Sequence, residues 1–199
     1  MLKTNSGLDA LCGFIENFRP DLASVAGDEQ GACEMERFNI FCLEYVRRAI
    51  EDAGRVFPST VSIETPTTHP VQQVSAFYLE ERRKNGVIVF KDRIHTYTTI
   101  DCIALVQEPT FLYAGVEMRP GIGEKSLRNY FKLLNRKREV MEDVCHEFGW
   151  ALMLPSDYRG SESKLLDDFR KEGGKVVIVP YRADELRAGA LSGVKSARQ

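Results

Sequence analysis

Apolar residues return along this chain with two different periods, and the change from one to the other lays out most of its elements. Leu8, Leu11, Ile15 and Phe18 recur at steps of three and four, which predicts a short amphipathic helix stopped by Pro20. Phe38, Phe41 or Cys42, Tyr45, Ala49 and Ile50 keep the same spacing over residues 34–53, with Gly54 as the stop. The most legible helix follows Pro120-Gly121-Ile122-Gly123: Leu127, Phe131, Leu134, Met141, Cys145 and Phe148 mark its core face, broken only at Arg138, and Gly149 ends it. A further helix over 163–172 stops at Gly173-Gly174. Between these lie runs with the character of strands, at 86–90, 97–106, 111–118, 150–154 and 175–180. Residues 57–69, rich in Ser, Thr and Pro, read as an extended connection with a short strand at 60–63, and 72–79 fits a strand or a helical turn.

The long helix between the strand ending at Met118 and the run at 150–154 makes those two strands parallel. The order is helix, three-stranded antiparallel meander, helix, strand, helix, strand. It predicts an α/β fold: a mixed central sheet with the meander and parallel crossover strands, flanked by helices. Residues 1–33 read as an N-terminal helical arm, 34–186 as the α/β core, and 187–199, with Gly, Ser, Lys and Arg and little apolar content, as a mobile basic tail.

Composition changes this picture little. A chain of 199 residues at 43% hydrophobic can bury one sizeable core without disulfides. Five cysteines (Cys12, Cys33, Cys42, Cys102 and Cys145) are odd in number and show no CxxC spacing, so they read as reduced thiols of a cytoplasmic protein. No apolar run is long enough for a membrane span, and none resembles a signal peptide. The net charge of −2 gives no global nucleic-acid signature. Any phosphate binding must come from a local patch.

One hairpin proposes chemistry. Alternation over 97–106 puts Tyr97, Thr99, Asp101, Ile103 and Leu105 on one face, and over 111–119 it puts Phe111, Tyr113, Gly115, Glu117 and Arg119 together. If Glu108-Pro109-Thr110 is the loop, Gln107 pairs with Phe111, and counting back sets Asp101 across from Glu117. Like charges directly opposite on a sheet repel. A divalent cation such as Mg²⁺ or Mn²⁺ neutralises such a pair, and Arg119 beside it suits charge developing on a phosphate.

The order Asp101, hairpin, Val116-Glu117-Met118-Arg119 resembles the PD-(D/E)XK nuclease superfamily, which includes restriction endonucleases and Holliday junction resolvases. The resemblance covers residues 34–181. It implies a restriction endonuclease-like fold and a metal-dependent DNA endonuclease, structure-selective or of low specificity, that hydrolyses phosphodiester bonds. It further implies Mg²⁺ or Mn²⁺ held by Asp101, Glu117 and the main-chain carbonyl of Met118. A helix glutamate, Glu44 or Glu36, would join the site. Arg119 stands where the family carries lysine, and arginine stays protonated. The resemblance therefore leaves it to orient water or stabilise charge rather than to take a proton. Relatives of this kind dimerise to cut both strands, so DNA and a homodimer partner are expected.

Basic residues near this region are candidate DNA contacts: Lys125, Arg128 and Lys132 on the long helix, in a stripe continued by Arg136 and Lys137, and Arg82 and Arg83 in the linker before Gly86. A charge run is more often a solvated face. Arg47 and Arg48 on the earlier helix could also meet a phosphate backbone, though a surface charge pair is the commoner reading; Asn129 or Lys125 is the polar residue of the long helix that the resemblance would bring to the site, and His95 before the hairpin reads as an ordinary polar histidine rather than a base. Two other readings stand beside the nuclease. In one, a nuclease-like domain without catalysis binds DNA or a protein partner; in the other, Glu117 and Arg119 form only a structural ion pair.

Overall fold

The computed structural model describes residues 6–25, 34–56, 61–63, 78–81, 88–91, 96–100, 102–107, 112–119, 124–142, 147–159 and 164–196. In chain order the elements are α1 (Ser6–Asn17), α2 (Leu22–Val25), α3 (Glu34–Val56), β1 (Val61–Ile63), β2 (Tyr78–Glu81), β3 (Ile88–Lys91), β4 (Thr96–Ile100), β5 (Cys102–Val106), β6 (Leu112–Met118), α4 (Glu124–Glu142), β7 (Phe148–Pro155), α5 (Lys164–Lys171), β8 (Lys175–Val179) and α6 (Ala183–Ser196).

Five strands form the central sheet in the order β1-β5-β6-β7-β8. β1, β5 and β6 run antiparallel to one another in turn, whereas β6, β7 and β8 are parallel. Helices fill the two parallel connections, as parallel neighbours require. The expected α/β class with a mixed sheet is thus the observed one.

Both faces of this sheet are covered. On one, Leu8, Leu11 and Ile15 of α1 and Phe41, Tyr45, Val46 and Ile50 of α3 pack with Ala104, Leu112, Ala114, Val116, Val177 and Leu186. On the other, Leu127, Tyr130, Leu134 and Met141 of α4 and Leu166 and Phe169 of α5 pack with Ile103, Trp150, Leu152 and Leu154. Burial on both sides explains why β5 reads Cys-Ile-Ala-Leu-Val with no polar residue. α1 belongs to this shared core rather than to a separate arm. At Gly115 the Trp150 and Phe148 rings lie where a Cβ would be, so the close fit of β6 under β7 needs glycine there. Gly173, at φ 88, turns the chain out of α5 in the left-handed conformation.

Four expectations change. The single strand over 97–106 is two: β4 pairs with β3 in a separate three-stranded sheet, β2-β3-β4, and β5 belongs to the central sheet. The meander of the central sheet is accordingly β1-β5-β6, with β1 taking the edge of β5 that the sequence assigned to the 86–90 strand. The long helix ends at Glu142, and Phe148 opens β7. The tail is a helix through Ser196, held by the buried Leu186 and by Gly189 against Leu22.

Among the described residues no helix is long and apolar enough to cross a membrane. Cys12, Cys42 and Cys102 are buried. Burial, with Glu16 and Asp9 alongside, pushes the Cys12 thiol up from 9.0 to about 12, and burial followed by the neighbouring Tyr181 also raises the Tyr45 phenol. Both groups are raised in the folded state, so the stability tied to their protonated forms is complete below the unfolded values and is lost as pH rises towards the folded ones. Stability should hold to pH 9 and then fall up to about pH 12, with Cys12 contributing about 1.4 kcal/mol per pH unit. Urea midpoints between pH 8 and 11 check this. Cys12→Ala should decline less steeply than the wild type.

Candidate functional site

The site is built on β6 and closed by α4. Alternation along β6 sends Leu112, Ala114, Val116 and Met118 into the core under α1 and α3, and leaves Tyr113, Gly115 and Glu117 facing α4, as the sequence predicts. The register is the predicted one as well. Cys102 pairs with Val116, Ile103 with Gly115, Ala104 with Ala114, Leu105 with Tyr113 and Val106 with Leu112. This is the count that a loop of residues 108–110 requires. Asp101 lies outside the described residues.

Glu117 is 1% exposed, the one acidic side chain among the buried residues described. Its Oε1 accepts a hydrogen bond from Lys137 Nζ at 2.5 Å, and its Oε2 accepts one from Arg119 at 3.0 Å. The second guanidinium nitrogen of Arg119 donates to the Met118 carbonyl at 2.9 Å. Its plane lies over the Tyr130 ring, 4.5 Å from the centroid, and its backbone N–H donates to the Met153 carbonyl of β7 at 3.0 Å. Lys137, 6% exposed, sits 6.0 Å from the Trp150 ring. One carboxylate therefore lies between two fixed cations, under a lid made by Tyr130 and Lys137 of α4.

Lys137 is the residue whose place the sequence reading missed. Grouped there with the outer stripe, it points inward, because it lies three residues after Leu134 and four before Met141 on the buried row Leu127, Tyr130, Leu134, Lys137, Met141. That spacing was the available signal. A lysine in an otherwise apolar row needs a buried partner, and Glu117 supplies it.

No family model, curated protein or solved structure matches this chain. Its chemistry rests on the geometry.

The structure brings Glu117, Met118 and Arg119 together and adds Lys137. It does not bring Glu44 to them: Glu44 lies on α3, whose core residues pack on the opposite face of the sheet, and it pairs with Arg48 at 2.7 Å. Arg128, Lys132 and Asn129 are exposed on α4, as is Arg136. Arg82, Arg83 and His95 lie outside the described residues, and the side chains of Glu36 and Lys125 are likewise not described.

A divalent metal does not fit the described groups as they are arranged. Of the ligands the resemblance would give it, Asp101 lies outside the described residues, a Glu117 oxygen and the Met118 carbonyl both accept from Arg119, and the other Glu117 oxygen accepts from Lys137. Among the described residues, Glu117, Arg119 and Lys137 sum to a positive charge. The Glu117–Arg119 ion pair named as a structural reading is present.

Proposed function

We propose that this chain is a nuclease-like α/β domain that binds nucleic acid through its phosphates, with α4 as the contact helix. The observation that carries the reading is that α4 is used on two sides. Its inner row closes the Glu117 cluster with Tyr130 and Lys137, and its outer row presents Arg128, Lys132 and Arg136 to solvent. Steps of four residues align the three charges in one stripe, about 6 Å apart along the helix axis. α4 carries six Lys or Arg against three Glu, on a chain whose net charge is −2. This local excess suits a polyanion backbone, where contacts position the protein without reading sequence.

The nuclease-like part of the proposal draws on the order of elements. A helix, three antiparallel strands of the central sheet, a helix, a strand, a helix and a strand follow one another as α3, β1-β5-β6, α4, β7, α5 and β8, with β2 to β4 inserted after β1. This is the arrangement the resemblance implies. Binding without hydrolysis is favoured because both cations are already engaged at Glu117.

A second reading keeps catalysis: a Mg²⁺- or Mn²⁺-dependent endonuclease using Asp101 and Glu117. The β5–β6 register favours it, since its five described pairs follow the count that led to that pair of carboxylates. Supercoiled plasmid and branched DNA incubated with either metal separate the two. The binding domain leaves both substrates intact; cutting that Glu117→Gln abolishes would replace this proposal with the second reading.

A further inference from the structure

α4 exposes a second row beside its basic one. Arg128, Lys132 and Arg136 follow one line along the helix, and Asn129 and Leu133, each one residue further on, follow another about 100° round the axis. Both of these residues are exposed. Leu133, at 46%, is one of three large apolar side chains so exposed among the described residues, the others being Val56 on α3 and Ile178 on β8. It is no part of the core, because the buried row of α4 runs through Leu127, Tyr130, Leu134, Lys137 and Met141. The basic row is open to a ligand as well. Among the described residues none of its three cations forms an ion pair, whereas Arg170 and Lys171 of α5 lie beside Asp167 and Asp168.

Resting on the α4 reading above, we infer that α4 lies in the major groove of duplex DNA, where Asn129 and Leu133 read A·T pairs while Arg128, Lys132 and Arg136 hold one phosphate wall. The major groove admits an α-helix, and its base edges distinguish all four pairs. An asparagine amide matches adenine there, donating to N7 and accepting from the N6 amino group. An apolar side chain matches thymine, whose C5-methyl group cytosine lacks. Charge on the neighbouring line supplies the affinity that these two uncharged contacts cannot. The four-residue step sets Asn129 and Leu133 about 6 Å apart along the helix axis. That spacing corresponds to roughly two base pairs, at about 3.4 Å each.

The experiment is fluorescence anisotropy of the full chain in EDTA with labelled duplexes of equal length, made of A·T, G·C or inosine·cytosine pairs, and with an A·T duplex carrying uracil for thymine. Inosine·cytosine presents the G·C pattern in the major groove and the A·T pattern in the minor groove. The wild type should bind the A·T duplex on the order of tenfold tighter than the G·C and inosine·cytosine duplexes. Uracil, which lacks the methyl group, should cost about threefold, and Leu133→Ala should bind the thymine and uracil duplexes equally. Asn129→Ala should lose most of the tenfold preference with its G·C affinity and melting temperature unchanged. Equal affinity of the wild type for A·T and G·C DNA overturns the inference, as does inosine·cytosine bound as well as A·T, or a preference that both variants keep. Each of those results leaves the phosphate contacts of α4 standing. No binding of any duplex by the folded protein overturns the α4 reading and this inference with it.

Discussion

Glu117→Gln is expected to lower the unfolding free energy by about 3–5 kcal/mol, the cost of leaving one half of a buried ion pair without its partner. Lys137 is 6% exposed, and its ammonium donates to Glu117. Glutamine keeps the size and an acceptor but not the charge. Arg119 loses a partner too, but its side chain is 28% exposed and its other contacts, to Met118 and Tyr130, remain. In a domain of this size the loss corresponds to a fall in melting temperature of roughly 10 °C. Adding Lys137→Met should recover most of it, because an apolar residue on the buried row of α4 replaces the stranded charge. Urea unfolding of the wild type, Glu117→Gln and Glu117→Gln/Lys137→Met measures both the loss and the recovery. A Glu117→Gln loss below 1 kcal/mol would mean that water or another group already serves Lys137.

The second large effect is on binding. Reversing Arg128, Lys132 and Arg136 to Glu is expected to weaken DNA affinity on the order of a hundredfold or more near 0.1 M salt, and to flatten the dependence of log K on log salt by roughly 2–3. All three side chains are exposed on the outer row of α4, so the fold should be unaffected. Fluorescence anisotropy of a labelled duplex over a salt series reads both quantities, and an unchanged melting temperature confirms that only the surface has changed. Affinity equal to the wild type's would move the contact surface off α4.

The hairpin was legible because its signals are local. Period-2 alternation fixes which residues of β6 share a face, and the proline in the turn fixes the loop length, from which the β5–β6 register follows. The crossover to β7 follows from the length of α4, since a strand reached through a helix has to be parallel. What escaped the sequence was non-local. The run over 97–106 reads as one strand, and only the different partners, β3 for β4 and β1 with β6 for β5, divide it between two sheets. The short strand expected at 60–63 is β1, but nothing in its three residues says that it takes the central-sheet edge. The 187–199 stretch looked like a tail because Gly, Ser, Lys and Arg recur in it with few large apolar residues. Packing of Leu186 and Gly189 against the rest of the fold makes residues up to Ser196 a helix in spite of that composition.

The site was half legible for a related reason. Glu117 and Arg119 were found from their own strand, where two-residue spacing brings them together. Lys137 lies 20 residues further on, and its type placed it with the charged stripe while its position on the helix placed it in the core. Position decides when a carboxylate waits opposite. Glu44 was a candidate by helix order, yet α3 packs on the other face of the sheet, and alternation along β6 sends Val116 and Met118 towards that face and Glu117 away from it.

The measurement that bears most directly on the central claim is the affinity of the wild-type chain for duplex DNA in EDTA, followed across a salt series and then repeated with Mg²⁺. A domain that grips phosphates through α4 binds in EDTA, with a log–log salt slope of about −3 or steeper, and gains nothing from the metal. Binding that appears only when Mg²⁺ is added, or no binding by the folded protein at low salt, would contradict the account.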